Sequence, residues 1–354
     1  MDRRSFMRAA GIGFAATLAP RSLLALERAD AVYASGFRAP DGSFGIATVS
    51  ERGEIIDRTR LPARSHGMAF SRATRRLVAF ARRPGTFALA TDPFGTAEPV
   101  VITAPEGRHF YGHGAFSPGG SLLYASENDF DANRGMIGIY DAGDRFRRVG
   151  ELEAHGIGTH DMAVSDDGSM LVIANGGIET HPDFGRAKLN LDHMEPSLVL
   201  LGARDGRLLQ KHRLPTSLRQ LSTRHIALAE DGRIWFACQW EGARNARPPL
   251  VGHLARGEEL RFVDLPEHVT EGLANYVGAI AVNRADGIVG LTSPKGGLAV
   301  SLDTRTGAVL GERPVPEAAG VAPGKQGLAV SSYGGSFNDI RSPVAWDQHI
   351  IRLG

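Results

Sequence analysis

A short phrase recurs along the chain. "SHGMAF" at 65–70 returns as "GHGAFSPGG" at 112–120, "THDMAVSDDG" at 159–168 and "RHIALAEDG" at 224–232. In each copy a histidine precedes a brief apolar, β-prone stretch that ends in a polar turn. The histidines are His66, His113, His160 and His225, at steps of 47, 47 and 65 residues. "VGAIAVNRADG" from Val277 and "AGVAPGKQG" from Ala319 are two more starts, without the histidine. A self-similar period near 50 residues is the range of propeller blades.

The interior of each unit agrees. The first holds "HGMAFS", "RLVAFAR", "FALATD" and "EPVVITAP", separated by turns such as "RRPGT" and "DPFGT". The second repeats the scheme with "HGAFS", "SLLYASE", "MIGIYD" and "RRVGELEA". Four short strands per unit make a propeller blade, and outside the N-terminal segment no stretch holds a helical period. The expected class is therefore all-β: a propeller of four-stranded antiparallel blades.

Blade count follows from the two ends. "AVYASG", "FGIATVS" and "IIDRTRLP" match the second, third and fourth strands of a blade whose first strand is missing. The terminal "WDQHIIRLG" carries "HIIRL", which resembles the "HIALA" of the fourth unit. The C-terminal strand then joins the N-terminal three, closes the ring and removes the open edge. That gives seven blades starting near His66, His113, His160, His225, Gly278, Ala319 and His349. The sixth unit is irregular, which leaves six or eight blades open.

The first strand of a blade lines the central channel. His66, His113, His160, His225 and His349 should therefore ring one channel mouth. Imidazoles converging from several strands are good ligands for zinc, copper or iron, so they are candidate ligands for one transition-metal ion. The other reading of each is a capping histidine bonded to a backbone carbonyl. Loops after the second strands reach the same face: 127–135, 175–197, 239–249 and 293–297. The second, "NGGIETHPDFGRAKLNLDHMEPS", is the longest excursion, and a long polar loop in a compact domain is usually functional or disordered. Glu127, Asp129, Glu179, His181, Asp183, Arg186 and Lys188 on these loops are candidate ligand-binding residues. Arg64, Arg108 and Arg224 directly precede the histidines or their strands, and can be read either as a cationic mouth for an anion or as solvated loop arginines.

The N-terminus reads differently. "DRRSFMRAAGIGFAATLAPRSLLALERADA" pairs Arg3 with Arg4, places Phe6 two positions on and continues into an apolar run. This is the pattern of a twin-arginine export signal, covering 1–31 with "ADA" as a possible cleavage site, followed by one propeller domain over 32–354. The run is too short to span a bilayer, so no membrane span is expected in the mature chain, and the expected compartment is the periplasm. Removing the segment takes away five arginines and three acids, leaving 35 basic and 36 acidic side chains. Such a balance offers no footprint for nucleic acid. Cys238 is the single cysteine, so no internal disulfide forms. There is no Cys-x-x-Cys-His for c-type haem, no Gly-x-Ser-x-Gly elbow, no P-loop and no His-Glu-x-x-His.

With these motifs in view the chain resembles a family of bacterial exported propellers known as domain of unknown function 1513. The likeness is carried by "RSHGMAF", "GRHFYGHGAFSPGGSLLYASENDF", "RGMIGIYDA", "GIGTHDM", "VIANGGIETHPDFGRAKLNLDHMEPSLV" and "WDQHIIRL". It implies a fold of the YVTN or WD40-like kind. The family tends to be encoded beside imelysin-type and di-haem oxidoreductase-like proteins, which implies iron handling. It brings no reaction with it.

Three functions fit these readings. The first is a periplasmic metal-binding propeller in iron or copper acquisition, its axial histidines holding the ion under the 175–197 loop. The second is a non-catalytic scaffold docking a periplasmic partner, peroxidase-like or imelysin-like. The third is a lactonase-like hydrolase in which Glu127, Asp129 or Glu179 and a divalent ion activate water. The first is preferred, because a scaffold needs no histidine at successive channel positions and no nucleophile–base pair marks an enzyme.

Overall fold

The structure, a computed structural model, describes residues 30–95 and 97–354. The expected export signal falls almost wholly outside them. Seven four-stranded antiparallel sheets stand in a ring, so the open choice among six, seven and eight blades resolves to seven. Blade 1 takes Tyr33–Arg38, Phe44–Val49 and Ile55–Leu61 from the start of the propeller and its innermost strand, Ala345–Arg352, from the end. Blades 2 to 7 are consecutive meanders, with innermost strands Ser65–Ser71, Arg108–Phe116, Thr159–Val164, Leu221–Leu228, Ala279–Asn283 and Ala318–Pro323. Each innermost strand packs against the next around the ring. Blade 7 is the irregular unit, its two outer strands shrinking to Ser336–Phe337 and Ile340–Arg341.

Turn chemistry punctuates the meanders. In the hairpin after Leu298–Asp303, the Asp303 carboxylate accepts the backbone N–H groups of Arg305 and Thr306 at 3.0 and 2.7 Å, and Gly307 supplies the positive φ that closes the turn. Helix is almost absent among the described residues: one short helix, Glu267–Gly272, and two 3₁₀ turns, Pro182–Phe184 and Thr216–Leu218. None is long and apolar enough to cross a membrane.

The core lies between blades. Phe80, Phe110 and Tyr140 share one buried cluster joining blades 2 and 3, and Trp235 and Phe236 anchor a second reaching blade 6. The closure has its own cluster, in which Tyr33 and Trp346 of blade 1 meet Phe337 of blade 7. Tyr33 pairs with Arg352 and Ala34 with Ile351. The Arg352 guanidinium then reaches Tyr33 Oη at 2.8 Å and Glu51 Oε2 at 3.0 Å.

Candidate metal centre in the channel

A single backbone device aims the histidines. Pairing of the innermost strand slips at Ser65/Met68, Phe110/Gly114, Thr159/Asp161 and Thr223/His225, and in blade 1 between Ser35 and Phe37 opposite 346–350. Each slip is a bulge, and a bulge re-aims the side chain beside it. The bulge turns each imidazole out of the sheet and towards the axis. Blade 6, whose first strand runs in unbroken register, has no histidine there, and blade 7 carries the slip at Ala318/Val321 without a histidine. Glycine makes the close approach possible: Gly112 holds φ +111°, and a Cβ on it would lie 2.7 Å from the His66 ring.

The result is five imidazoles in one cluster. Ring centroids of neighbours are 4.7 Å apart for His66 and His113, 4.9 Å for His113 and His160, 4.9 Å for His160 and His225, 4.9 Å for His225 and His349, and 4.8 Å for His349 and His66. Burial pushes His66, His160, His225 and His349 well below the usual histidine range, and neighbouring positive charge adds to it. These rings are therefore neutral at pH 7, the form that has a lone pair to give a metal.

Their nitrogens lack partners. His66 Nδ1, His113 Nε2, His160 Nε2, His349 Nε2 and both nitrogens of His225 are buried without a hydrogen bond. A capping histidine would be bonded to a carbonyl, so the capping reading fails for these atoms. Ligand atoms of His66, His113 and His160 lie within 4.8 Å of one another, and so do those of His113, His225 and His349. Three nitrogens bonded at about 2.0–2.1 Å to a tetrahedral ion lie about 3.3–3.4 Å apart, so inward rotation by up to about 1.5 Å completes either set.

Outer contacts distinguish the two sets. His113 Nδ1 faces Asp161 Oδ1 at 3.2 Å. A carboxylate there fixes Nδ1–H and leaves the Nε2 lone pair pointing inward, the usual arrangement behind a metal-bound histidine. Asp161 is itself held by the N–H groups of Met162 and Ile226 at 2.8 and 3.1 Å. His160 differs: its Nδ1 lies 3.3 Å from Arg224 Nη1. Arginine only donates, so His160 accepts there and carries its hydrogen on Nε2. His113, His225 and His349 are thus the better-prepared ligands, with His66 beside them and His160 offering an N–H.

Above the rings opens a cavity of about 210 Å³ touching His66, His160 and His225. Arg186 and Lys188, both expected at the mouth, line it. They come from the long loop, which the structure orders across several blades. Tyr111 Oη donates to Ile178 O at 3.2 Å, Asn128 Nδ2 to Thr180 O at 3.2 Å, Arg186 Nη1 to Arg83 O at 3.4 Å and Gln220 Nε2 to Leu191 O at 2.9 Å. Lys188 pairs with Glu241.

The remaining expected ligands stand apart from the rings. Glu127 is fully buried within blade 3, accepting from Tyr140 Oη at 2.6 Å and Arg148 Nη2 at 2.9 Å. These contacts lay it across the two outer strands of the blade, and it does not line the cavity. Asp129 is bound by Arg108 at 2.6 Å and Arg134 at 3.0 Å, which also removes Arg108 from the mouth. Arg64 is held bidentately by Asp347, both contacts at 2.8 Å. Glu179 does not line the cavity; its backbone N–H is held by Asn190 at 2.8 Å. His181 packs its ring against Phe130 and Phe184, and Asp183 lies exposed beside it.

Sequence reasoning missed Asp161, one residue after His160 in a quoted motif, because nothing in "THDM" says that it turns back to His113. It missed Arg82 and Arg83, which the turn "RRPGT" carries to the cavity wall. It also missed His109, which is buried, lies stacked between Tyr111 and Phe130 and has both nitrogens unpaired.

Comparison with solved structures shows the propeller fold. Hydrazine synthase of Kuenenia stuttgartiensis superposes with a TM-score of 0.61 at 12% identity, covering 88% of this chain and 89% of that one. The β-propeller domain of Myceliophteria thermophila Cps50 (Swd1) gives 0.58 at 13% identity over 86% and 91%. A chain of a nidogen/laminin complex gives 0.52 at 12% over 79% and 92%. At such identities the likeness is one of fold alone. No curated protein matches the sequence significantly. The profile of one family covers residues 59–353, from the end of blade 1's outer strand through the closing strand and with it all five axial histidines. The chain belongs to the family described as protein of unknown function DUF1513.

Proposed function

We propose that this protein is a metal-binding propeller that holds one transition-metal ion, iron, copper or zinc, on His113, His225 and His349, with His66 as a further ligand. The observation that carries the reading is the set of buried, unpaired imidazole nitrogens facing one another across the channel. Burying an unsatisfied polar atom costs about 1–3 kcal/mol, and a bound ion turns that cost into binding energy. Asp161 orients His113 from behind, and the cavity above leaves room for a water or ligand on the ion's open side. His160, with hydrogen on Nε2, donates to whatever occupies that side.

The role that suits such a site is metal acquisition in the periplasm, iron or copper being the cargo, after export directed by "DRRSFMRAA". The carboxylate–histidine pair at the site, Asp161 and His113, serves in this reading to orient a metal ligand, so the chain's task is to bind and present. A scaffold function is the second reading, supported by Phe184, 63% exposed on the long loop at the mouth. The hydrolase reading is weakened because Glu127 and Asp129 are already held by arginines.

Elemental analysis of natively exported protein tests the reading, beside a variant with His113 and His225 changed to Ala. About one iron, copper or zinc per chain, lost in the folded variant, is expected. Absence of metal from both, with wild type also failing to take up added iron, copper or zinc, overturns it.

A further inference from the structure

The cavity above the rings carries far more positive than negative charge. Arg82, Arg83, Arg186, Lys188, Arg224 and Lys295 all line it, and Glu241 is the one carboxylate among the lining residues. Glu241 is shared between Lys188 and Arg224, the latter at 3.4 Å. Four cations have no acid of their own among the described residues. Arg83 Nη1 donates to Tyr111 Oη at 2.9 Å, a neutral partner, and Lys295 Nζ rests 4.4 Å from the centre of the Tyr276 ring. Arg186 has only the Arg83 carbonyl, and the Arg82 guanidinium has no hydrogen-bond partner among the described residues. Arg224, 4% exposed, keeps its Nε buried and unpaired.

Ordinary surface arginines avoid one another or pair with acids, because like charges close together in a partly desolvated site repel. Here burial is the main cost to the charge, and the neighbouring guanidinium groups add to it. Burial, with Arg82 and Arg83 nearby, brings Arg186 down to about 10. The converging cations come from four separate places: the turn after the second strand of blade 2, the long loop of blade 4, the innermost strand of blade 5 and the loop at 293–297 of blade 6. One surface patch on one strand would not bring them together.

We infer that this vestibule binds a small multivalent oxyanion, a di- or tricarboxylate or a phosphate, directly above the histidine rings. Guanidinium groups take carboxylate and phosphate through paired N–H donors, and a cavity of about 210 Å³ admits a compact anion but no polymer. The anion site stands on its own charges and does not require the metal. When an ion is bound below, the anion can complete its open side.

The test uses the folded chain stripped of metal, with the chelator removed by gel filtration, at constant ionic strength. Titration calorimetry with tricarballylate, malonate, inorganic phosphate and, as monovalent control, acetate reads the affinity. Tricarballylate or phosphate is expected to bind more tightly than acetate, and the stronger of the two identifies a carboxylate or phosphoryl source. Arg186→Met and Lys295→Met, both at the exposed rim, are each expected to weaken binding at least about tenfold. Arg256→Met, on a distant exposed turn, should leave it unchanged. Should no multivalent anion bind at about 1 mM, or should the rim variants bind as well as wild type, the inference falls. Anion binding by protein that never takes up metal would sink the metal centre and leave this site standing.

Discussion

Replacing His225 by Leu should have opposite effects on the metal-free and metal-loaded protein. His225 is buried, and neither of its ring nitrogens has a hydrogen bond. Each such nitrogen carries a desolvation cost of about 1–3 kcal/mol. Leucine fills nearly the same space without polar atoms, and an imperfect fit returns about 1 kcal/mol. With two such nitrogens, the metal-free variant should therefore be about 1–5 kcal/mol more stable than wild type. For a large domain that is a rise in Tm of about 2–4 °C per kcal/mol or somewhat less. In saturating metal the gap closes, and the order reverses wherever it is smaller than about 4.1 kcal/mol, because wild type gains about that much from a ligand at a thousand times its Kd and the variant gains little. Calorimetry of both proteins, with and without added metal, reads the crossing directly. If the His225→Leu change destabilised the metal-free protein and metal made no difference to either, the unpaired imidazoles would be ordinary packing and the metal centre would be wrong.

Three further outcomes follow from the same contacts. Asp161→Asn should weaken metal binding by about 10–100-fold while leaving the fold intact, since it removes the carboxylate behind His113; competition with a chromogenic chelator measures it. Glu127→Ala should leave metal content unchanged but destabilise by about 3–5 kcal/mol, because Arg148 and Tyr140 lose a buried charged partner; urea denaturation reads the loss. His109 is lowered from 6.5 to about 4 by burial, with Arg83 and His181 adding to it. Its folded pKa lies below its unfolded one, so the unfolded chain binds the proton first and stability falls as pH drops from about 6.5 to 4, by about 3 kcal/mol from this residue. Stability measured across that window should decline less steeply in His109→Phe.

Blade architecture, ring closure and the convergence of five histidines were legible because each is written as a period. The 47-residue step sets the blade, and the phrase "HIIRL" betrays the closing strand. The missing parts depend on directions that no period encodes. Glu127 and Asp129, expected on the loop at 127–135, instead end the strand Leu122–Asp129, where three arginines, Arg108, Arg134 and Arg148, hold them away from the cavity. Asp161 acts on the histidine of a neighbouring blade, a contact made only when the ring is assembled. The bulges that aim the imidazoles were invisible too, since they are slips between paired strands. Gly67 and Gly112 beside the histidines are the trace they leave in the sequence.

The closing strand gives the channel a built-in timetable. Four of the imidazoles arrive in chain order with blades 2 to 5, but His349 belongs to the strand that pairs with Tyr33–Arg38 after some 300 intervening residues. Joining such distant segments is the slowest class of step in folding. A nascent chain therefore carries an incomplete nest of histidines until its two distant segments meet, and the preferred trio including His349 becomes available at that moment. Capture of an ion would then report that the ring has shut, and would hold it shut by bridging blade 1 to blades 3 and 5 across the channel.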